Sequence, residues 1–79
     1  MTEFYVNGIE YRFYELIQGY HIADFYGTVL FHLEHDGIES WEYSGENIKG
    51  SVRENMFQGE HTPLDIAQWI IATEENLNE

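Results

Sequence analysis

The sequence contains no cysteine, a single proline and only three basic residues in 79. Without cysteine, the chain forms neither a disulfide nor a thiolate metal site, which is typical of a reducing compartment. No apolar run approaches the roughly 18 residues of a membrane helix, and the N-terminus lacks the basic and apolar segments of a signal peptide. We therefore expect a cytoplasmic protein.

The rest of the composition is that of a chain that folds. Hydrophobic residues make up 43% of the sequence and aromatic residues 16%, which is enough for a packed core. The sequence has no repeat, low-complexity segment or linker. We therefore predict a single domain over residues 1–79.

An Asn-Gly dipeptide at positions 7–8 indicates a first hairpin, because these residues suit the positive φ angles of a two-residue type I′ turn. Such a turn pairs Val6 with Ile9 and Phe4 with Tyr11. Apolar side chains then share one face of the hairpin and polar ones the other. The turn and the alternation therefore predict the same register.

An Asp-Gly dipeptide at positions 36–37 indicates a second hairpin. A three-residue loop over residues 35–37, with a bulge, pairs Phe31 with Trp41 and Val29 with Tyr43. This register keeps the apolar side chains of both strands on one face, so we prefer it to a two-residue loop, which mixes the faces.

The segment between the hairpins is less regular. A turn at Gln18-Gly19 leads into residues 20–26, which we expect to continue into the next strand through a bulge at Gly27. A helical turn over residues 15–25 is the alternative, and Gly19 argues against it because glycine disfavours helix.

The C-terminal segment has the signature of a helix. Thr62 can cap it, Pro63 suits its first position and Asp65 is the acidic third residue. An apolar stripe follows, so we predict a helix from Pro63 to about Asn76. The stripe consists of Leu64, Ile66, Ala67, Ile70, Ile71 and Leu77.

Residues 44–61 have two interpretations. Ser51 and Glu54 have the spacing of a capping box, which predicts a short helix near residues 52–58 that Gly59 closes. A short strand over residues 48–52 is the alternative. Because strands precede the main helix, we predict an α+β fold in which a small antiparallel sheet of about four strands, in two hairpins, packs on one C-terminal helix.

Charge is the strongest global signal. Fifteen acidic residues oppose three basic ones, and the net charge of −12 exceeds the magnitude of about 2–8 that solubility asks of a small domain. Such a surface repels nucleic acid and anionic membrane, and it attracts basic surfaces. A merely solubilising surface is the alternative explanation.

The acidic side chains concentrate around the second hairpin. Its predicted register turns Glu34 and Glu42 to the outer face, and Asp36, Glu39 and Glu46 lie at its ends. We predict that these five residues form a partner-binding surface.

Trp69 is the apolar candidate for partner binding. On the predicted helix it lies away from the middle of the apolar stripe, and tryptophan is enriched at interfaces. Burial of Trp69 under residues 44–61 is the alternative.

The sequence does not indicate chemistry. On a strand, His35 points away from His32 and Glu34, whereas a metal site needs three or four converging ligands. None of the serines lies in a nucleophile elbow, and there is no phosphate-binding loop. We predict no catalytic residue, metal or cofactor, and no direct binding of nucleic acid.

The leading hypothesis is a non-catalytic binding protein that docks its acidic face on a basic, nucleic-acid-binding surface of another protein. In size, charge and fold class, though in no motif, the chain resembles the small acidic inhibitors of phages and mobile elements. Anti-restriction and anti-CRISPR proteins are examples, and some of them mimic DNA. The alternative is a small cytoplasmic interaction or structural protein without mimicry, including a homodimer formed through a sheet edge or Trp69.

Overall fold

In the computed structural model, which describes residues 1–74 and 77, a six-stranded antiparallel sheet precedes one α-helix. The strands follow one another across the sheet in chain order, as a meander, so the predicted α+β class is confirmed, with six strands instead of about four. The elements are β1 (Thr2–Val6), β2 (Ile9–Glu15), β3 (Tyr20–Asp24), β4 (Val29–His35), β5 (Ser40–Ser44), β6 (Lys49–Arg53), a 3₁₀ turn (Glu54–Met56) and α1 (Pro63–Thr73). No helix in the described part of the chain is long and apolar enough to cross a membrane.

The first hairpin has the predicted register. Val6 pairs with Ile9 and Phe4 with Tyr11. Asn7 and Gly8 both have positive φ angles, of 52° and 81°, as a type I′ turn requires. The local turn chemistry therefore defines the start of the sheet.

The second hairpin has a different register from the predicted one. Leu33 pairs with Tyr43 and His35 with Trp41, across a loop of residues 36–39. The predicted partners of the two aromatic residues were Val29 and Phe31, and this prediction is wrong. Phe31, Trp41 and Tyr43 lie on the buried face in both registers, so their alternation could not distinguish the two. Val29 lies on the outer face instead, because the pairing of β4 with β3 shifts by one residue between it and Phe31.

Asp36 accounts for the wider loop. Its Oδ1 accepts hydrogen bonds from the backbone N–H groups of Ile38, Glu39 and Ser40, at 2.8, 3.0 and 3.1 Å. A short carboxylate that bonds its own downstream backbone stabilises such a turn. In the resulting register, Trp41 lies opposite His35, four residues further along β4 than the predicted partner Phe31.

The segment after β3 also differs from the prediction. β3 ends at Asp24, whose Oδ1 accepts from the backbone N–H groups of Tyr26 and Thr28, both at 2.9 Å. The strand therefore turns before β4 and does not run into it through a bulge at Gly27. The irregularity lies within β4, where the pairing with β3 shifts by one residue around Leu30.

Residues 49–53 form a strand, so the strand interpretation of this segment is confirmed. β6 pairs along its whole length with β5. The 3₁₀ turn that follows begins after Arg53 without a side-chain cap, so the capping box predicted at Ser51 is wrong. The short helix predicted near residues 52–58 is reduced to this three-residue turn.

The C-terminal helix begins as predicted. The Thr62 hydroxyl accepts from the backbone N–H of Asp65, and the Asp65 carboxylate accepts from the backbone N–H of Thr62. The helix ends at Thr73, and Glu74 is extended with φ −82° and ψ 120°, so the predicted extension beyond Thr73 is wrong. Asn76 itself lies outside the described residues.

The core lies between α1 and one face of the sheet. Each of the six strands contributes at least one buried apolar side chain to this core. Full burial of one large apolar side chain contributes roughly 1.5–3 kcal/mol to stability. The largest fully buried side chains are Tyr11, Ile22, Phe31, Leu33, Ile66 and Ile70. The other face of the sheet, which we call the outer face, is turned away from α1.

The Tyr43 hydroxyl ties the sheet to the end of the helix. It donates a 3.0 Å hydrogen bond to Glu74 Oε1. Burial of the phenol, together with this carboxylate, raises the pKa of Tyr43 to about 12. The phenol therefore stays protonated and keeps donating at every physiological pH.

Gly45, in the turn between β5 and β6, is a point of close backbone approach. A Cβ atom at this position would lie 2.0 Å from the carbonyl oxygen of Leu30. The Gly45 N–H also donates to the carbonyl of Ile48 at 2.7 Å. The backbone of this turn therefore packs directly against the backbone of β4, and its own hydrogen bond holds it there.

We expect Gly45→Ala to destabilise the fold by about 2 kcal/mol or more, because the new methyl group meets backbone that cannot shift without breaking the turn. Gly37→Ala is the matched control. Gly37 has a φ of 83° but open space around a Cβ, so only the backbone cost of about 1 kcal/mol applies. Urea denaturation compares the two variants, and equal losses would contradict the steric argument.

Candidate functional site

The structure brings four of the predicted acidic residues to one end of the sheet. Glu34 and Glu42 are direct partners on β4 and β5, and both are exposed on the outer face. Asp36 and Glu39 lie in the loop that joins these strands. Four carboxylates thus surround one hairpin end.

Glu54 joins them, although the sequence analysis placed it in a capping box. Its backbone N–H donates to the carbonyl oxygen of Glu39 at 2.8 Å, directly after β6 ends. The strand interpretation of residues 48–52 would have predicted this position, because β6 returns the chain to the β4–β5 loop. We call the set Glu34, Asp36, Glu39, Glu42 and Glu54 the acidic end.

Two histidines hold the Glu54 carboxylate in place. Gly37 N–H donates to His35 Nδ1 at 2.9 Å, so the other ring nitrogen, Nε2, carries the proton that faces Glu54 Oε2 at 3.2 Å. His61 Nε2 lies 3.4 Å from Glu54 Oε1. The carboxylate therefore links the β4–β5 loop to the segment that precedes α1.

The Asp36 carboxylate is occupied by hydrogen bonds from the loop backbone and is not a free surface charge. The N–H groups of Ile38 and Ser40 donate to it, and these bonds lower the pKa of Asp36 below its ordinary value. The other two aspartates of the sequence behave alike, since Asp24 and Asp65 also accept from backbone N–H groups. The free carboxylates of the acidic end are therefore glutamates.

Two predicted site residues lie elsewhere. Glu46 is in the β5–β6 turn, at the opposite end of the strands, where it lines a surface hollow with Asp24 and Thr28. Trp69 is partly buried on α1, and its ring meets the Phe57 ring edge-on at a centroid distance of 5.7 Å. The structure thus separates Glu46 and Trp69 from the acidic end.

The outer face carries all three basic residues. Arg12 alternates with the buried Tyr11 on β2, and Lys49 and Arg53 alternate with the buried Val52 on β6. Among the described residues, every ion pair to a carboxylate involves a histidine and none involves these cations. That the three cations share one face was not predicted from the sequence.

A shallow groove of about 400 Å³ crosses the outer face beside the acidic end. It is lined by His32, Glu34, Ser44 and Lys49, among others. Ser44 is the direct partner of His32, but the described contacts join His32 to Glu34, at 3.8 Å, and include no hydrogen bond to Ser44. A nucleophilic serine needs a base within hydrogen-bond reach, and this arrangement does not supply one.

Comparison of the chain with protein-family models, with curated proteins and with solved structures finds no match in any of the three.

Asp36 gives a testable pH dependence. Its depressed pKa means that its stabilising contribution is present above the ordinary pKa, near 3.9, and is lost as the pH falls through the lower folded value. We expect Asp36→Asn to have a smaller free energy of unfolding than the wild type at pH 7. We expect this difference to be smaller at about pH 2, where the wild-type carboxylate becomes protonated.

Urea midpoints at both pH values test this expectation. Glu39→Gln makes the same charge change in the same loop, and its side chain accepts none of the loop's described N–H groups. We expect no comparable narrowing in that variant. If both variants follow the wild type in parallel, the loop does not depend on ionised Asp36.

We also expect chelator treatment to leave the melting temperature unchanged. No group of three or more metal-ligating side chains converges within the described residues. Differential scanning calorimetry with and without EDTA tests this, alongside elemental analysis of the purified protein. About one metal ion per chain would contradict the prediction.

Proposed function

We propose that the chain is a non-catalytic binding protein that docks its acidic end on a basic, nucleic-acid-binding surface of another protein. The observation that supports this most is the gathering of five carboxylates, from two strands, a loop and a 3₁₀ turn, around a single hairpin end. Two cations lie beside them: Arg53 lines a hollow with Glu39 and Glu54, and Lys49 lines the groove with Glu34 and Glu42.

The paired glutamates are costly for the fold, which favours a binding role. Like charges directly opposite on neighbouring strands are destabilising. Glu34 and Glu42 are such a pair, and the only described ion pair of either is the 3.8 Å contact of Glu34 with His32. A basic partner surface would offset the repulsion between the two carboxylates, so this unfavourable interaction in the free protein would be relieved on docking.

The rigid frame of the acidic end also suits docking. Asp36 fixes the loop backbone, and the two histidines fix Glu54. Charges held in place before contact lose less conformational freedom on binding. Charge complementarity of this kind raises association rates and makes binding sensitive to salt.

A matched pair of charge reversals tests the proposal. One variant carries Glu34→Lys with Glu42→Lys, and the other carries Glu15→Lys with Glu46→Lys. The net charge changes equally, and none of the four side chains makes a described hydrogen bond. The aspartates are left unchanged because each of the three accepts hydrogen bonds from backbone N–H groups, and replacing them would disturb the fold.

The probe is the heparin-binding fraction of a lysate of the organism that encodes the chain, captured on the immobilised wild type and both variants. We expect a protein that the wild type and the control pair retain, that the Glu34/Glu42 pair loses, and that duplex DNA and rising salt release. Single Glu→Gln changes should each cost only about 0–1 kcal/mol. Equal capture by both pairs would mean that net charge, not the acidic end, drives binding.

Capture that resists DNA and salt would instead support an interaction module without mimicry. Such a result would leave the acidic end as a solubilising surface. Circular dichroism and urea midpoints confirm beforehand that both variants are folded.

A further inference from the structure

Arg12 is the anomalous charge of the outer face. Its Nε is buried and has no hydrogen-bond acceptor, and its guanidinium lies 5.6 Å from the centre of the Phe25 ring. Glu3 is its direct partner on β1, yet no carboxylate in the described part of the chain forms an ion pair with it. A buried donor without an acceptor is unfavourable. The chain has fifteen acidic residues, yet the Arg12 guanidinium forms no described ion pair with any of them, so it is available to bind a carboxylate of another molecule.

Exposed apolar side chains surround this arginine. Tyr5 is 61% exposed, Phe25 53% and Val29 49%. The register places Tyr5 and Val29 on the outer face. Tyr5 is on the neighbouring strand β1, and Val29 is two strands from Arg12 on the other side, beyond Ala23. We call Glu3, Tyr5, Arg12, Phe25 and Val29 the Arg12 patch. Arginine and tyrosine beside apolar surface are the residues that most often dominate the energy of protein interfaces.

We propose that the Arg12 patch binds a second copy of this chain about a two-fold axis, with the Arg12 guanidinium of each copy held by the Glu3 carboxylate of the other. A two-fold interface has to be complementary to itself, and this patch contains both members of the ion pair. Glu3 is exposed and has no described hydrogen bond or ion pair, whereas the nearby Glu10 already accepts from the Tyr5 hydroxyl at 2.8 Å. Glu3 is therefore the free carboxylate.

The overall charge also favours this face for self-association. Two chains of net charge −12 repel each other over most of their surface. Within the Arg12 patch the charge of Arg12 balances that of Glu3, so the repulsion between two copies is weaker there. The Arg12 patch extends from β1 to Val29 at the start of β4, whereas the acidic end surrounds the loop that follows the end of β4, so the dimer would leave both acidic ends free. The proposal does not depend on what the acidic end binds.

A charge exchange tests the proposed pair. Arg12→Glu alone should place acidic residues opposite each other in the dimer, and Glu3→Arg alone should place basic residues opposite each other. A mixture of the two variants restores both ion pairs across the two-fold axis. We expect each variant to weaken self-association at least about tenfold and the equimolar mixture to recover it.

Sedimentation velocity measures the dimer at about 0.15 M salt and at protein concentrations up to about 1 mM. Phe25→Ser, which removes apolar area without a charge change, should also weaken the dimer. If Arg12→Glu does not fold, Arg12→Met keeps the apolar stem and should still lose the dimer. A wild type that stays monomeric throughout, or a mixture that stays monomeric while the wild type dimerises, overturns the proposal.

The Glu34/Glu42 double variant separates this proposal from the proposed function. Glu34 and Glu42 make no described contact with the Arg12 patch, so this variant should sediment as the wild type does. Glu46 lines a surface hollow together with Val29, so the Glu15/Glu46 variant is left out of this comparison. Loss of partner capture with an intact dimer would concern the acidic end alone. Loss of the dimer in the Glu34/Glu42 variant would place the contact on the other half of the sheet and overturn the assignment to Arg12.

Discussion

One-sided burial is the constraint on which the structure depends. A single helix covers a single face of the sheet, so alternate side chains of the strands have to be apolar and their neighbours have to tolerate water. Phe4, Phe31 and Tyr43 lie on the buried face. Glu34, which directly follows the buried Leu33 on β4, is exposed on the outer face. With no cysteine to add a cross-link, this packing carries the stability of the chain. The same alternation assigns the charges to the outer face.

Alternation defines faces and leaves registers open, which explains how far the fold could be predicted from the sequence. The first hairpin was predicted fully because a two-residue turn at Asn7-Gly8 allows one register. The second was not, since sliding regularly paired strands by an even number of residues, here four, keeps the side chains on their faces. Three hydrogen bonds to Asp36 decide between the registers, and they belong to the loop, not to the pattern of the strands. Likewise, β6 was ambiguous because its short segment has the spacing of both a strand and a capping box.

The candidate site was predictable to the extent that it follows from one hairpin. Glu34, Glu39 and Glu42 were grouped correctly because they flank the same loop, and this holds in either register. Glu46 was predicted to lie at an end of the same hairpin, and the structure places it at the end opposite the β4–β5 loop, beyond the five residues of β5, which span roughly 17 Å. Glu54 was missed because its place depends on the pairing of β6 with β5. No sequence pattern reports whether a cation finds a carboxylate, so the isolation of Arg12 is visible only in the folded chain.

The acidic residues divide by side-chain length into two kinds. Each of the three aspartates accepts hydrogen bonds from nearby backbone N–H groups: Asp24 and Asp36 close turns, and Asp65 caps the helix. A carboxylate one methylene from the backbone reaches the amides of its own turn, whereas the longer glutamate side chain extends toward solvent. The described glutamates accept from side chains only, where they accept at all, as Glu10 and Glu74 do. The charge that folds this chain is therefore carried by different residues from the charge that it presents, and a change to the presented charge need not alter the fold.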